Sequence, residues 1–398
     1  MREVVIASSV RTPVGRAFKG TLRATRPDEL AAVAIKGALE RFPQLDPKQI
    51  EDVILGCAMP EAEQGMNVAR VASLRAGLPI EAGAMTINRF CASGLQSIAL
   101  AAERICGGGA EVIVAGGTES MSLIPMGGHK VSINPWIEQN YPDSCLSMGL
   151  TAERVGRRYG ISRPDADQFA FASHRKALAA QAAGAFADEI VPVKVEFAAP
   201  NGGAALKMSE VEFKADEGPR ADTSLEALSK LKPSFHAKGT VTAGNSSQMS
   251  DGAAAAVVMS EERAKSLGIR PLARFVAYSY AGCLPEEMGI GPVYAIPKAL
   301  NLAGLTLDSI DLIELNEAFA AQALAVMREW NFGAADHDRT NVHGSGISLG
   351  HPVGATGGRM LATLARELNR RQARYGLETM CIGGGQGLAA VFERVAST

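Results

Sequence analysis

Net charge is nearly absent from this chain: 40 basic residues against 42 acidic ones leave a formal charge of -2 over 398 residues. Such a balance provides no global field for gathering polyanions, so nucleic-acid binding is not expected and any phosphate-bearing ligand must be held by a local basic cluster. Cysteine is sparse. The six residues Cys57, Cys91, Cys106, Cys145, Cys283 and Cys381 show no CxxC spacing, which excludes a disulfide scaffold and fits a reducing compartment. The six histidines form no HxxxH or His/Cys ligand spacing, so no metal site is expected. No GxGxxG string follows the first strand-like run, and no apolar run reaches membrane-spanning length. The opening MREVVIASSVRTPVGR lacks the basic flank, long apolar stretch and cleavage site of a signal peptide, and the chain reads as soluble and cytoplasmic, with no membrane partner.

What is present is enough apolar material for a large core. At 47% hydrophobic and 398 residues, the chain exceeds what one compact core usually holds, and two or more domains are expected. Strand and helix alternate at the start: VVIASSV, DELAAVAIKGALERF, DVILGCAM, VARVASLRAGL, AMTINRF, SGLQSIALAAERI and EVIVAGG. This order predicts an α/β fold with helices covering a sheet. From about residue 270 the order returns as LARFVAYSY, YAIPKALNLAGL, DLIELN, FAAQALAVMREW, a Gly-rich stretch, GGRMLATLAREL and ETMCIGGG, an internal duplication. Aligned this way, EVIVAGGTES lies opposite ETMCIGGGQG, and Cys91 lies roughly opposite His351. Between the halves the composition shifts to Met, Pro, Asn, Lys and Asp, with HKVSINPWIEQNYPDS and AAPNGGAALKMSE reading as loops. The expected division is therefore 1–118 plus 251–269 for the first half, 119–250 for an inserted loop domain, and 270–398 for the second half.

Three residues in Gly-rich settings stand out as candidates for chemistry. Cys91, in TINRFCASGLQSIAL, falls where a strand ends and an amphipathic helix begins, a place where free N–H groups and the helix dipole favour a thiolate. His351, in HGSGISLGHPVGATGGRM, precedes another helix among glycines that permit close backbone approach. Cys381, in ETMCIGGGQGLAA, ends an apolar strand at three glycines whose N–H groups are free to bind an oxyanion. A single cysteine usually packs as a small hydrophobe and a single histidine is usually a satisfied core or surface group. The three together in such settings are not expected as packing accidents, and His351, opposite Cys91 in the duplication, is the obvious base or cation for that thiol.

The strings NRFCASGLQ, VIVAGGTES, NEAFA, GHPVGATG and CIGGGQG resemble the thiolases, in the family's order and over essentially the whole chain. The resemblance implies a thiolase fold, in which duplicated βαβαβαββ halves form an α-β-α-β-α core with an inserted loop domain. It also implies an acetyl-CoA C-acyltransferase acting in fatty acid beta-oxidation. The Cys91 thiolate would attack a 3-ketoacyl-CoA, and Cys381 would protonate the departing acetyl-CoA enolate and then deprotonate incoming coenzyme A. His351 would stabilise the Cys91 thiolate and help bind the thioester oxygen. Asn316 would hold a water at that oxygen, and the N–H groups of Cys91 and Gly383 would form a second oxyanion hole. Glu317 would be a positioning group. For coenzyme A, a co-substrate rather than a permanently bound cofactor, the matching contacts are Arg220, Phe235, Ser247, Ala318, Phe319 and Met148, with Lys230, Lys232 and Lys238 nearby. A homodimer or homotetramer is implied, with a beta-oxidation partner subunit as a further possibility.

Two departures from the family pattern bear on these expectations. Position 147 is Ser147, where biosynthetic acetoacetyl-specific thiolases typically carry histidine, which tilts the reading toward the degradative branch. His343 replaces a common asparagine, which puts local hydrogen bonding there in question. The rivals are a biosynthetic acetoacetyl-CoA thiolase, a non-catalytic acyl-CoA or lipid-binding protein on the same fold, and a condensing ketoacyl synthase, which generally has a second histidine where this chain has Cys381.

Overall fold

The computed structural model describes residues 2–200 and 206–395. The first half runs β1 Val4–Arg11, β2 Gly15–Arg16, α1 Pro27–Leu39, β3 Asp52–Gly56, α2 Val68–Arg75, β4 Gly83–Ile87, α3 Ser93–Cys106 and β5 Val112–Ser120. The insertion carries α4 Pro135–Asn140, α5 Met148–Arg158, α6 Arg163–Ala182, β6 Val193–Pro200, β7 Leu206–Phe213 and α7 Leu225–Ser229, after which β8 Ser250–Ser260 and α8 Glu261–Ser266 follow. The second half runs β9 Ala273–Gly282, α9 Gly291–Ala303, β10 Leu312–Leu315, α10 Ala320–Glu329, α11 Ala334–Asp338, α12 Gly346–Leu349, α13 Thr356–Arg370, β11 Tyr375–Ile382 and β12 Gln386–Glu393.

One strand order is used twice. The first sheet reads β4-β3-β5-β8-β1 and the second β10-β11-β12-β9, and the two meet edge to edge where Val5 and Ile6 pair with Arg274 and Ala273. The place that β4 holds beside β3 is reduced in the second sheet to one parallel bridge, Ile313 to Thr340. Residues of successive parity along each strand enter different cores. Val53, Leu55, Val114 and Val257 pack with Leu30 and Ile35 of α1 on one outer face. Ile54, Ile113 and Val258 turn inward to meet Leu95 and Ile98 of α3 together with Leu361 and Leu364 of α13 and Met380 and Leu388 of the second sheet. Ile313, Leu315 and Val391 pack outward on Ile296 of α9 and Val326 of α10. The result is five layers with α3 and α13 in the middle. Burial on both faces explains why these strands read as continuous apolar runs rather than alternating ones.

The central helices approach closely at glycine. A Cβ on Gly357 would stand 2.2 Å from Leu95 N, and one on Gly117 would stand 2.0 Å from Gly354 O, so neither position accepts a side chain without moving backbone. This contact brings the start of α13 against the start of α3, and it is what positions the site.

The insertion is more ordered than its composition suggested. It holds α6, 20 residues long and entered through a capping box between Ser162 and Asp165 with a proline in the first turn. The buried stripe of this helix is Ala166, Ala170, Ser173, Ala177 and Ala180, too weakly apolar to give a clear period in the sequence. Within HKVSINPWIEQNYPDS, the short helix α4 starts at Asn134, whose side chain accepts from the Trp136 and Ile137 N–H groups. The ends of AAPNGGAALKMSE belong to the β6–β7 hairpin, and its centre, 201–205, lies outside the described residues. Among the described residues no helix is long and apolar enough to cross a membrane.

Candidate active site

Cys91 lies in a one-turn 3-10 segment, Phe90–Ala92, that leads into α3. The turn is locked by hydrogen bonds from Phe90 N to Asn88 Oδ1 (2.8 Å), from Arg89 N to Ser93 Oγ (2.8 Å) and from Ser93 Oγ to Phe90 O (2.7 Å). These bonds hold Phe90 at φ +42°, a left-handed conformation that costs a bulky residue about 1–3 kcal/mol. The Cys91 side chain is 9% exposed, and its sulfur accepts the N–H of Gly383 and its own backbone N–H. Burial nevertheless pushes the thiol up to about 11, against the pull of those two hydrogen bonds. The depressed thiol expected at a helix N-terminus is therefore not what the resting site holds: desolvation outweighs the helix end.

His351 is buried, and burial, then the nearby Arg359 cation, pushes it down to about 3. Its Nδ1 lies 2.6 Å from Thr356 Oγ1, and that hydroxyl donates its own hydrogen to Pro352 O at 2.9 Å. The network thus assigns the ring hydrogen to Nδ1 and leaves Nε2 as an acceptor. Asn316 Nδ2 approaches this Nε2 at 3.4 Å, while Asn316 Oδ1 is buried with no partner among the described residues. Thiol and imidazole are both neutral at rest.

The third group, Cys381, is fully buried near the end of β11 in an apolar cluster with Met148, Val241, Met288, Ala318 and Phe319. Burial raises its thiol well above the ordinary value, and Cys91 stands close enough to add to the rise. After it the chain turns back through Gly384 (φ +79°) and Gly385 (φ +84°), and a Cβ on Gly385 would lie 2.5 Å from Cys283 O. Cys91 packs with Val353, two residues beyond His351, so the segments carrying Cys91, His351, Cys381, Gly383 and Asn316 converge in one place.

Two buried carboxylates, one of them not singled out from the sequence, pin this arrangement. Glu119, at the end of β5, accepts from Ala58 N and Gly354 N (both 2.8 Å), Met59 N (3.3 Å) and Gln64 Nε2 (2.6 Å). It ties the first sheet to the turn just after His351. An acidic residue closing an apolar strand in GGTES was the available signal. Glu317 is neither a helix cap nor solvated: it accepts from Ser173 Oγ (2.6 Å), Asn341 Nδ2 (3.0 Å) and Ile347 N (3.3 Å), joining α6 to the Gly-rich loop. Burial raises both carboxyls, and the donors offset part of that rise. His343 finds a different partner from an asparagine: its Nε2 lies 2.9 Å from Glu367 Oε1.

Most of the expected coenzyme A contacts gather on one side of Cys381. Ser247 N donates to Ala318 O at 2.9 Å, Phe235 and Phe319 meet edge to face at 6.1 Å, and Phe235 covers Gly149, next to Met148. Arg220 is not joined to them by a hydrogen bond or ring contact among the described residues. Its guanidinium pairs with exposed Asp222 at 3.1 Å, and its N–H donates to His174 Nδ1. Lys230 pairs with Glu226, and Lys232 and Lys238 are exposed.

Two sequence families match the chain, described as "Thiolase, N-terminal domain" over residues 4–262 and "Thiolase, C-terminal domain" over residues 269–394. A 3-ketoacyl-CoA thiolase of Bacillus subtilis is 50% identical over 393 residues, covering 99% of this chain and 100% of the relative. An acetyl-CoA acetyltransferase of Pseudomonas aeruginosa is 47% identical over 406 residues, again covering 99% and 100%. The crystal structure of the Bacillus anthracis acetyl-CoA acetyltransferase superposes with a TM-score of 0.88 at 41% identity, covering 99% of each chain. Duplicated sheets, two cysteines close together beside the loop that carries His351, and full-length similarity agree: the chain belongs to the thiolase family.

Proposed function

We propose that this protein is an acetyl-CoA C-acyltransferase that cleaves 3-ketoacyl-CoA with coenzyme A in fatty acid beta-oxidation. What supports the reading is that Cys91 lies near both the Gly383 N–H and Cys381 and packs on Val353, two residues beyond His351, whose Nε2 is free of a ring hydrogen. Cys91 passes its proton to His351 and its sulfur attacks the keto carbon. The bond between carbon 2 and the keto carbon 3 breaks, leaving an acyl group on Cys91 and the enolate of acetyl-CoA. Cys381 gives its proton to the enolate carbon. The resulting thiolate then takes the proton of incoming coenzyme A, whose sulfur attacks the acyl carbon and expels the Cys91 thiolate, which recovers its proton from His351.

Charge on oxygen develops twice, and two sets of donors are in place. The imidazolium formed at His351 faces the thioester oxygen, with the unpartnered Asn316 Oδ1 beside it as an anchor for water. The N–H groups of Gly383 and Cys91 that hold the resting sulfur are the donors for the acyl oxygen. Coenzyme A lies against Ser247, Phe235, Phe319, Ala318 and Met148, and Arg220 is released from Asp222 to meet phosphate. The outer edge of β4 is unpaired among the described residues and carries Met85 at 37% exposure, which suits pairing with a second copy. Light scattering should then give at least twice 41.7 kDa, and a mass of 41.7 kDa would reject the oligomer.

A biosynthetic acetoacetyl-CoA thiolase is the second reading, favoured by the names of the Pseudomonas and Bacillus anthracis relatives. Thiolysis rates for acetoacetyl-CoA, a medium-chain and a long-chain 3-ketoacyl-CoA decide. The degradative reading expects the longer substrates to react at least as fast, and activity confined to acetoacetyl-CoA overturns it.

A further inference from the structure

Beneath the site lies a group of buried charges to which the mechanism gives no role. Glu314 on β10 and Glu378 on β11 are register partners on adjacent parallel strands, so their side chains leave the sheet on the same face. That face is the inner one: Leu312, Met380 and Ile382, of the same parity, belong to the central core, while Ile313, Leu315 and Leu377 turn to the outer one. Arg359 of α13 is 1% exposed and close enough to act on both carboxyls electrostatically.

These groups face one another without touching. Arg359 Nη2 donates to Ser345 Oγ at 3.1 Å, but its Nε and Nη1, together with Glu314 Oε2 and both oxygens of Glu378, have no hydrogen-bond partner among the described residues. No ion pair joins Arg359 to Glu314 or Glu378 among the described residues, although donors and acceptors are present together and complementary. Buried polar atoms are almost always satisfied, and a polar gap with several such partners is what an internal water occupies.

We propose that Glu314, Glu378 and Arg359 form a buried solvent site whose water molecules bridge the two carboxyls to the guanidinium, and that Glu378 acts through it as a positioning residue for the reaction. The segments it joins carry three of the reacting groups. Glu314 precedes Asn316 by two residues, Glu378 precedes Cys381 by three, and Arg359 both holds Ser345 of the Gly-rich loop and belongs to the helix that His351 leads into. Two carboxyls opposite one cation, cut off from bulk solvent, are not both ionised, so one of them keeps its proton. Burial acts in that direction, raising Glu314 to about 8 and Glu378 well above the ordinary carboxyl value.

A crystal structure of the whole protein, fine enough to place water, tests the site whatever the substrate is. Ordered water within hydrogen-bond distance of Glu378 and Arg359 is expected, and a direct Arg359–carboxylate pair with no water overturns the site. The positioning role rests on the thiolase reading and is tested by turnover. Glu378→Gln, which still bonds water and matches a neutral carboxyl, should keep kcat within about threefold. Glu378→Leu, which expels the water, should lower kcat by roughly tenfold to a hundredfold, the usual effect of a small misplacement of reacting groups, with KM for coenzyme A unchanged. Equal kcat in the leucine variant and the unmodified protein, or equal losses in both variants, overturns the role. A leucine variant that fails to fold leaves the crystallographic arm and the glutamine variant to decide.

Discussion

The starts of α3 and α13 are the same place in two copies of one unit, and they have become chemically opposite. In the first half a tight turn, held by Asn88 and Ser93 and carrying a left-handed Phe90, delivers a thiol. In the second half a glycine-rich loop, held by the buried carboxylates Glu119 and Glu317, delivers an imidazole. Duplication supplied two facing helix ends, and under the proposed reaction divergence made one the nucleophile and the other its base. Both ends are buried, and desolvation raises the thiol and lowers the imidazole, so the proposed proton transfer starts from two neutral groups.

Removing the nucleophile breaks the comparison most completely. Cys91→Ala should lower thiolysis by at least about 10⁴-fold, the scale of losing a covalent nucleophile, with an unchanged circular-dichroism spectrum. His351→Ala should cost about 10²–10⁴-fold at neutral pH, the scale of a general base. Its pH profile sharpens the point. A thiol raised to about 11 is protonated below that pH, so without its base the variant should gain about tenfold in Cys91 alkylation per pH unit between about pH 8 and 10; a flat profile would contradict the neutral pair. Asn316→Ala should lower kcat by roughly 10²-fold if its water stabilises developing charge, measured against an unchanged KM for coenzyme A.

Smaller effects test how the halves are held. Glu119→Ala leaves the Ala58, Met59 and Gly354 N–H groups without their acceptor and should cost about 2–4 kcal/mol in denaturant unfolding. Glu317→Ala should cost less, since it joins the second half to the insertion rather than to the first half. Arg220→Ala removes an exposed, Asp222-paired guanidinium and should raise KM for coenzyme A by no more than about threefold.

The candidate groups were legible because each is embedded in a local signal: a strand running into a helix at Cys91, a run of glycines at His351 and at Cys381. The duplication was legible for the same reason, as repeated apolar runs. What could not be read depends on residues distant in the chain. Glu119 and Gly354 are 235 positions apart, and nothing near either announces the bond. The ring hydrogen of His351 follows from where Thr356 sends its own, and the direction of the thiol shift follows from how deeply the two halves bury Cys91. The helix α6 escaped because alanine supplies its buried stripe, and the β6–β7 hairpin because its sequence carries a loop's composition.

The most direct measurement is mass spectrometry of peptides from protein mixed with a 3-ketoacyl-CoA of known chain length. The shortened acyl group should be found on the peptide containing Cys91, and be lost in Cys91→Ala. An acyl group on the Cys381 peptide, or turnover with no acylated cysteine at all, would contradict the division of labour drawn between the two thiols.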